Sequence, residues 1–401
     1  MTDTREYVKP NDRTFLAAAG LSIGAVVAIA FSRFAYALLL PPMRQALDWN
    51  YVQAGAMNTA NAVGYIVGAV IAAWLARQFG LAGAFRINLI VSTAALAVTG
   101  ATSDLSVLLA IRTIGGVSTA VTFILGAGLA GSMGSDGSAR SNSVSVGIYM
   151  AGGSLGIVLS GLVVPAVIGS GADGWHDGWF ALGFMAILGL PFAWIASRNV
   201  ARPMKRAAIT LSLQEFRWLA PTFIGYGLFG CGYVGYMTFI IDFLQNRGSA
   251  HDAASFWVVL GVASVISTPL WGRTLGGMDG GRGPAMISAV AMLGTLVVIA
   301  RPGPVAAYAS ALLFGGSFMA APAAITIVAR QQLRVTSFTA GVALLTVSFA
   351  LGQAVGPVLA GAVTDYFGDV SAGLWISPAL LGLGAILALL QKPATQGYFG
   401  S

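Results

Sequence analysis

Two arginines interrupt apolar runs of this chain: Arg33, within Ser32-Arg33-Phe34-Ala35-Tyr36, and Arg112, within Ala110-Ile111-Arg112-Thr113. A guanidinium stays charged and presents a planar fork of donors, which suits bidentate recognition of a carboxylate or other oxyanion. Near the centre of an apolar helix such a group costs about 2.5 to 3.5 kcal/mol on insertion scales, so each position needs a reason. One reason is an anion gripped by the pair. The other is structural: Arg112 acts in gating, and Arg33 snorkels along a long helix toward the membrane edge.

Other polar side chains sit in apolar surroundings at helical spacing. Asn58, Asn61 and Tyr65 fall at i, i+3 and i+7 and share one helix face. They suit substrate contact or hydrogen bonding between helices, the latter worth about 0.6 to 2 kcal/mol in a membrane. Tyr226, Phe229, Tyr233 and Tyr236 form an aromatic face, and Tyr36 follows Arg33 by three residues. Packing and cavity lining are both open to these rings, whose hydroxyls need partners away from water. All 14 acidic residues fall in loops, termini or helix ends, so a mid-helix carboxylate relay is not expected. Asp242 is the best coupling candidate, against the alternative of an interfacial cap. His176 and His251 fall in loops, and Cys231 is the only cysteine. No nucleophile, base or metal constellation emerges, so an enzyme, a metal site and a cofactor are not expected.

The elements that must position these residues follow from composition. Of 401 residues, 57% are hydrophobic and only 9% charged, with mean hydropathy +0.80, far from the roughly 25% charged residues of soluble domains. The net charge of +7 is spread through short gaps between apolar runs, which argues against nucleic acid. A helix needs about 20 apolar residues to cross roughly 30 Å of hydrocarbon. Twelve runs qualify: 14 to 40, 51 to 76, 84 to 101, 105 to 131, 142 to 168, 178 to 197, 217 to 243, 254 to 275, 284 to 300, 304 to 329, 338 to 364 and 371 to 391. The expected fold is an all-α integral membrane protein. The first run is expected to end at Pro41-Pro42 and to be a retained helix rather than a signal peptide.

With the N-terminus inside, the loops expected outside carry only Arg44, Arg247 and Arg301, while lysine and arginine crowd the inner ones. Both termini are therefore expected in the cytoplasm. The expected organisation is an N-terminal segment 1–13, a six-helix unit 14–197, a basic linker 198–216, a second six-helix unit 217–391 and a tail 392–401. An internal repeat supports the division: Gly115, Gly116 and Ala120 recur as Gly315, Gly316 and Ala320. GGSLGIVLSG at 152–161 recurs as GQAVGPVLAG at 352–361. Duplicated halves with no nucleotide-binding domain are a common build for secondary transporters, in which the halves rock about a central site.

These residues carry a resemblance to the major facilitator superfamily (MFS). Arg112 followed by Gly116 is similar to its R-x-x-x-G motif, and Gly352, Gly356, Pro357 and Gly361 to its G-x-x-x-G-P motif. Gly152 and Gly156 are the first-half counterparts, with Ile157 where the second half has Pro357. Arg77 and Gly80 fall in the loop where the superfamily usually has an acidic residue before Arg-x-Gly. Ser32 to Tyr36, Leu40 to Met43, Gly64-Tyr65 and Gly68-Ala69 resemble the YbfB/YjiJ-type branch. The resemblance implies two pseudo-symmetric six-helix bundles around a central cavity, gating or packing roles for the motif residues, and a bacterial cytoplasmic membrane. The expected partners are a small-molecule substrate, the lipid bilayer and a proton as candidate coupling ion, with a monomer as the working unit. The expected activity is secondary or facilitative transport of an organic anion or carboxylate. Export of hydrophobic compounds is the alternative, and a non-transporting sensor a more distant one.

Overall fold

The computed structural model describes residues 12–133, 139–169, 173–198, 211–247, 250–334 and 336–393. Among the described residues, eleven stretches are long and apolar enough to cross a membrane. One of them, Tyr51–Thr99, has 49 residues, about 73 Å at 1.5 Å per residue, which is twice a bilayer core. It bends at Gly80, whose φ of 72° is open to glycine without strain, and its two arms, 51–79 (α2) and 81–99 (α3), bring the crossings to twelve. The others are α1 (Thr14–Ala46), α4 (Leu105–Ala130), α5 (Ala139–Ile168), α6 (Gly174–Ala196), α7 (Leu213–Asn246), α8 (Ala250–Gly276), α9 (Arg282–Ala300), α10 (Pro304–Gln332), α11 (Phe338–Phe367) and α12 (Val370–Leu389). In lipid, only such self-satisfied backbones can span the hydrocarbon.

Several boundaries differ from the expectation. Helix α1 does not stop at Pro41-Pro42 but runs through both prolines to Ala46, and its middle, Val26–Phe34, is a π-helix. That wider coil is rare and concentrates at functional sites. Helix α10 breaks between Phe318 and Ala321, where Pro322 at the start of the second piece removes an amide donor. Helix α7 begins before its apolar run, at Leu213, because Ser212 and Glu215 form a reciprocal capping box. It continues past Asp242 to Asn246, so Asp242 is a helical residue rather than an end cap. Most of the expected linker and both terminal segments lie outside the described residues.

Glycine positions explain how the helices approach, and they repeat. A Cβ at Gly152 would strike the Ser22 carbonyl, and one at Gly156 would strike Ala30 and Val26, so α5 lies directly on α1. In the second half Gly352 meets the Gly227 carbonyl and Gly356 that of Cys231, placing α11 on α7 in the same way. Gly116 abuts the Asn61 carbonyl on α2, whereas the second-half residue with that role is Gly315, against the Leu260 carbonyl of α8. Gly316, the sequence counterpart, meets nothing. The motif is therefore shifted by one position between halves.

Contacts between the halves gather at the face opposite the start of α1 and the end of α12. There α2 meets α11, where Gly55 lies on the Pro357 carbonyl and Gly361 on that of Tyr51. Likewise α5 meets α8, with Gly161 against Trp257 and Val258 and the Trp257 indole donating to Ser160 Oγ at 3.2 Å.

Candidate functional site

The π-helical part of α1 carries Ser32, Arg33 and Phe34 into the centre of the molecule, all buried. Arg112 on α4 reaches the same level: its Nη1 donates to the Ser32 carbonyl at 2.5 Å, Nη2 to Asn58 Oδ1 at 3.2 Å and Nε to the Met57 carbonyl at 3.4 Å. The guanidinium lies 5.5 Å from the Tyr36 ring centre and 5.4 Å from that of Trp179. Neutral dipoles and ring faces thus carry this buried charge, and they tie α4 to α1 and α2. Arg33 is placed differently. It is 7% exposed, stands 4.8 Å over the Tyr65 ring, interacts electrostatically with the Tyr233 hydroxyl, and has an Nη2 with no hydrogen-bond partner. Among the described residues no carboxylate pairs with either arginine. A buried donor of this kind carries a substantial penalty unless something else satisfies it.

Around Arg33 stands a ladder of nearly parallel rings from α7, α10 and α11. Tyr226 and Tyr233 stack on Phe349 at 4.5 and 5.4 Å, and Phe318 stacks on Tyr233 at 5.9 Å. Phe34, beside Arg33, turns its edge to Tyr233 and Phe318 at 6.4 and 5.8 Å. Helix α1 of the first bundle therefore touches the aromatic wall of the second. Gln353 donates to the Tyr233 hydroxyl at 2.5 Å, which orients it.

The closed face is fastened by charged groups from both halves. The Asp365 carboxylate on α11 accepts the Tyr51 and Val52 amides at the start of α2, each at 2.8 Å. Asn50 Oδ1 accepts the Gln53 amide at 2.8 Å. With the Asn50 amide donating to Gln53 Oε1 at 3.0 Å, all four amides that any helix start leaves open are satisfied, two of them by the opposite half. Deeper in, Asp242 is 1% exposed and accepts from the Tyr51 hydroxyl at 2.7 Å and the Asn246 amide at 3.1 Å. Arg44 Nε approaches Asp242 Oδ1 at 3.7 Å and covers the Tyr51 ring at 4.4 Å. Asn58 Nδ2 to Thr238 Oγ1, 2.9 Å, and Thr59 Oγ1 to the Ala354 carbonyl, 2.7 Å, complete the seam.

The structure brings Arg33, Tyr226 and Tyr233 to one place, with Tyr65. It groups Arg112 with Asn58 and Asn61, whose amide reaches Ser32 Oγ and the Arg112 carbonyl, both at 3.4 Å. Tyr36 joins the Arg112 group through its ring while Tyr236 is buried apart, and both hydroxyls are already engaged, on the Ala54 carbonyl at 2.7 Å and with Ser310 Oγ at 2.5 Å. Arg77 is exposed at the terminal face beside the Gly80 bend, with no ion pair among the described residues. Sequence reasoning missed Gln353, Phe349 and Phe318 at the ladder and Arg44, Tyr51 and Asp365 at the seam. A glutamine inside the second glycine motif was the one available signal; the seam residues read as ordinary loop or helix-end residues. Among the described residues no group of three His, Cys, Asp or Glu could hold a metal ion. A cleft of about 870 Å³ lined by Gly20, Ser132, Phe192 and Ala196 lies at the terminal end of the first bundle and does not include Arg33.

Residues 25–389 match the protein family described as "Uncharacterised MFS-type transporter YbfB". The chain is 24% identical over 388 residues to a chloramphenicol resistance protein of Streptomyces lividans, with 91% of this chain and 93% of that protein covered. Among solved structures, a bacterial homolog of the human lysosomal transporter Spinster, inward-facing and unoccupied, superposes with a TM-score of 0.71 at 15% identity, covering 96% of both chains. The peptide transporter POT superposes at 0.73 and 15% identity, covering 96% of this chain and 95% of that one.

Proposed function

Because the chain belongs to the YbfB-type family of MFS transporters, and so is a multi-pass membrane transporter, we propose that its substrate is a small organic anion carried by alternating access, with Arg33 as the anchor. The observation that carries this reading is the Arg33 Nη2 atom, buried, charged and without a hydrogen-bond partner. A carboxylate arriving between the halves would satisfy it through charge-assisted hydrogen bonds. Arg112, with each of its nitrogens bonded, would hold Ser32 and the π-helical turn of α1 in place so that Arg33 faces the site.

Under the positive-inside reading the termini are cytoplasmic, and the seam of Asp365, Asp242 and Arg44 closes the outer face. Opening outward would part α2 from α11 and expose Asp242 to water. Asp242 is thus the candidate for coupling transport to a proton, since its partners Arg44 and Tyr51 sit on the opposite half. Proteoliposomes loaded with unlabelled carboxylate test the anchor: Arg33→Ala should abolish counterflow, while wild-type affinity in Arg33→Ala would end the proposal.

A second reading, export of neutral hydrophobic compounds, is favoured by the aromatic ladder and by the chloramphenicol resistance relative. It predicts transport of neutral aromatics that survives Arg33→Ala.

A further inference from the structure

Resting on the anion reading above, we infer that the substrate class is a singly charged carboxylate borne on an aromatic ring, an arylcarboxylate, held by Arg33 and seated between Tyr65 of the first bundle and Phe349 of the second. Charge comes first. Two guanidiniums lie buried at one level without a carboxylate partner, yet only Arg33 has a buried nitrogen with no hydrogen-bond partner, because each Arg112 nitrogen is already bonded, to Ser32, Asn58 or Met57. The single positive charge of Arg33 balances one anionic group; a dianion would bring a second charge to a place where Arg112 is already bonded to neutral groups.

Donors come next. Besides Arg33 Nη2, the hydroxyls of Tyr65 and Tyr226 have no hydrogen-bond partner among the described residues, unlike Tyr36, Tyr233 and Tyr236, which have. Arg33 stands 4.8 Å over the Tyr65 ring, and Tyr226 stacks on Phe349 at 4.5 Å beside Tyr233, so these donors belong to one cluster of rings from both bundles. A carboxylate offers about four lone-pair positions, enough for all three. The ring follows from exposure: in a cluster otherwise buried, Tyr65 and Phe349 are only half-buried, one on each bundle. Phe349 already stacks on Tyr226 and Tyr233 in near-parallel planes, 12° and 3° apart. A flat aromatic body can pair with the exposed part of Phe349 and with the Tyr65 ring, and a saturated ring gains no such pairing.

The test uses the purified full chain in detergent, titrated calorimetrically with benzoate, cyclohexanecarboxylate, succinate and benzyl alcohol. Benzoate should bind about 3- to 10-fold tighter than cyclohexanecarboxylate, the range for an aromatic pair. It should exceed benzyl alcohol by at least about 10-fold, the scale of a charge-assisted hydrogen bond. Tyr226→Phe keeps the ring and removes one donor, so it should weaken benzoate about 3- to 10-fold with the thermal midpoint unchanged. Arg33→Gln should abolish benzoate binding. Cyclohexanecarboxylate equal to benzoate, or succinate tighter than both, would overturn the arylcarboxylate assignment while leaving the anion reading standing. Benzyl alcohol equal to benzoate, or no carboxylate bound at all, would overturn both.

Discussion

Removing the Asp365 carboxylate should loosen the seam between the halves without unfolding either one. In the closed arrangement that carboxylate accepts two backbone amides at the start of α2, at 2.8 Å each, and complements the positive end of the helix. Losing a capping side chain costs about 0.5 to 2 kcal/mol, and the exposure of Asp365 places it in the middle of that range, about 1 to 1.5 kcal/mol. In the arrangement open at this face the amides and the carboxylate return to water, so the cost falls on the closed state alone. At 1.4 kcal/mol per decade, Asp365→Ala should raise the open population about 5- to 10-fold. The readout is maleimide labelling of Thr238→Cys in a Cys231→Ser background, reconstituted in nanodiscs. Thr238 is 0% exposed and faces Asn58 across the seam, so the labelling rate scales with the open fraction when opening is fast. Asn50→Ala is the control, because it uncaps the same helix from within the first bundle. A rate within twofold of the parent for Asp365→Ala, or an equal rise for Asn50→Ala, would refute the reasoning.

Three further outcomes are expected. Arg112→Lys should lower the thermal midpoint, with about 2 to 4 kcal/mol lost as one ammonium fails to serve three acceptors on two helices; Arg33→Lys should leave the midpoint within about 2 °C, since Arg33 holds no such set. Asp242→Asn should abolish accumulation driven by an imposed pH gradient but preserve counterflow; unchanged gradient-driven uptake would remove Asp242 from coupling. Gly352→Leu should prevent α11 from seating on the Gly227 carbonyl and abolish recovery of monodisperse protein, whereas Gly316→Ala, where nothing is nearby, should be silent by size-exclusion chromatography.

The twelve crossings were legible because run length against bilayer thickness is a strong physical constraint, and the Gly80 bend showed as a polar break in an otherwise apolar stretch. The repeated glycines were legible as helix contacts, though not the one-position shift that makes Gly315 rather than Gly316 the partner of α8. Arg33 and Arg112 announced themselves by their cost. Their division of labour did not, because it depends on which carbonyls the π-helical turn and α2 present to Arg112. The seam was invisible for a related reason. Asp365 and Tyr51 are joined only when α11 and α2 meet, and one-dimensional periodicity cannot say which helix faces which. Asp242 looked like an end cap because the polar residues after it suggested an ending, yet α7 continues to Asn246 and buries it.

The central claim is that Arg33 is the anchor for an anion crossing between the bundles. Counterflow of labelled benzoate into proteoliposomes of the full chain tests it most directly. Exchange by the wild-type protein, its loss in Arg33→Gln and its persistence in Gly316→Ala are the results expected. Equal exchange by Arg33→Gln, or none by the wild-type protein with any carboxylate, would contradict it.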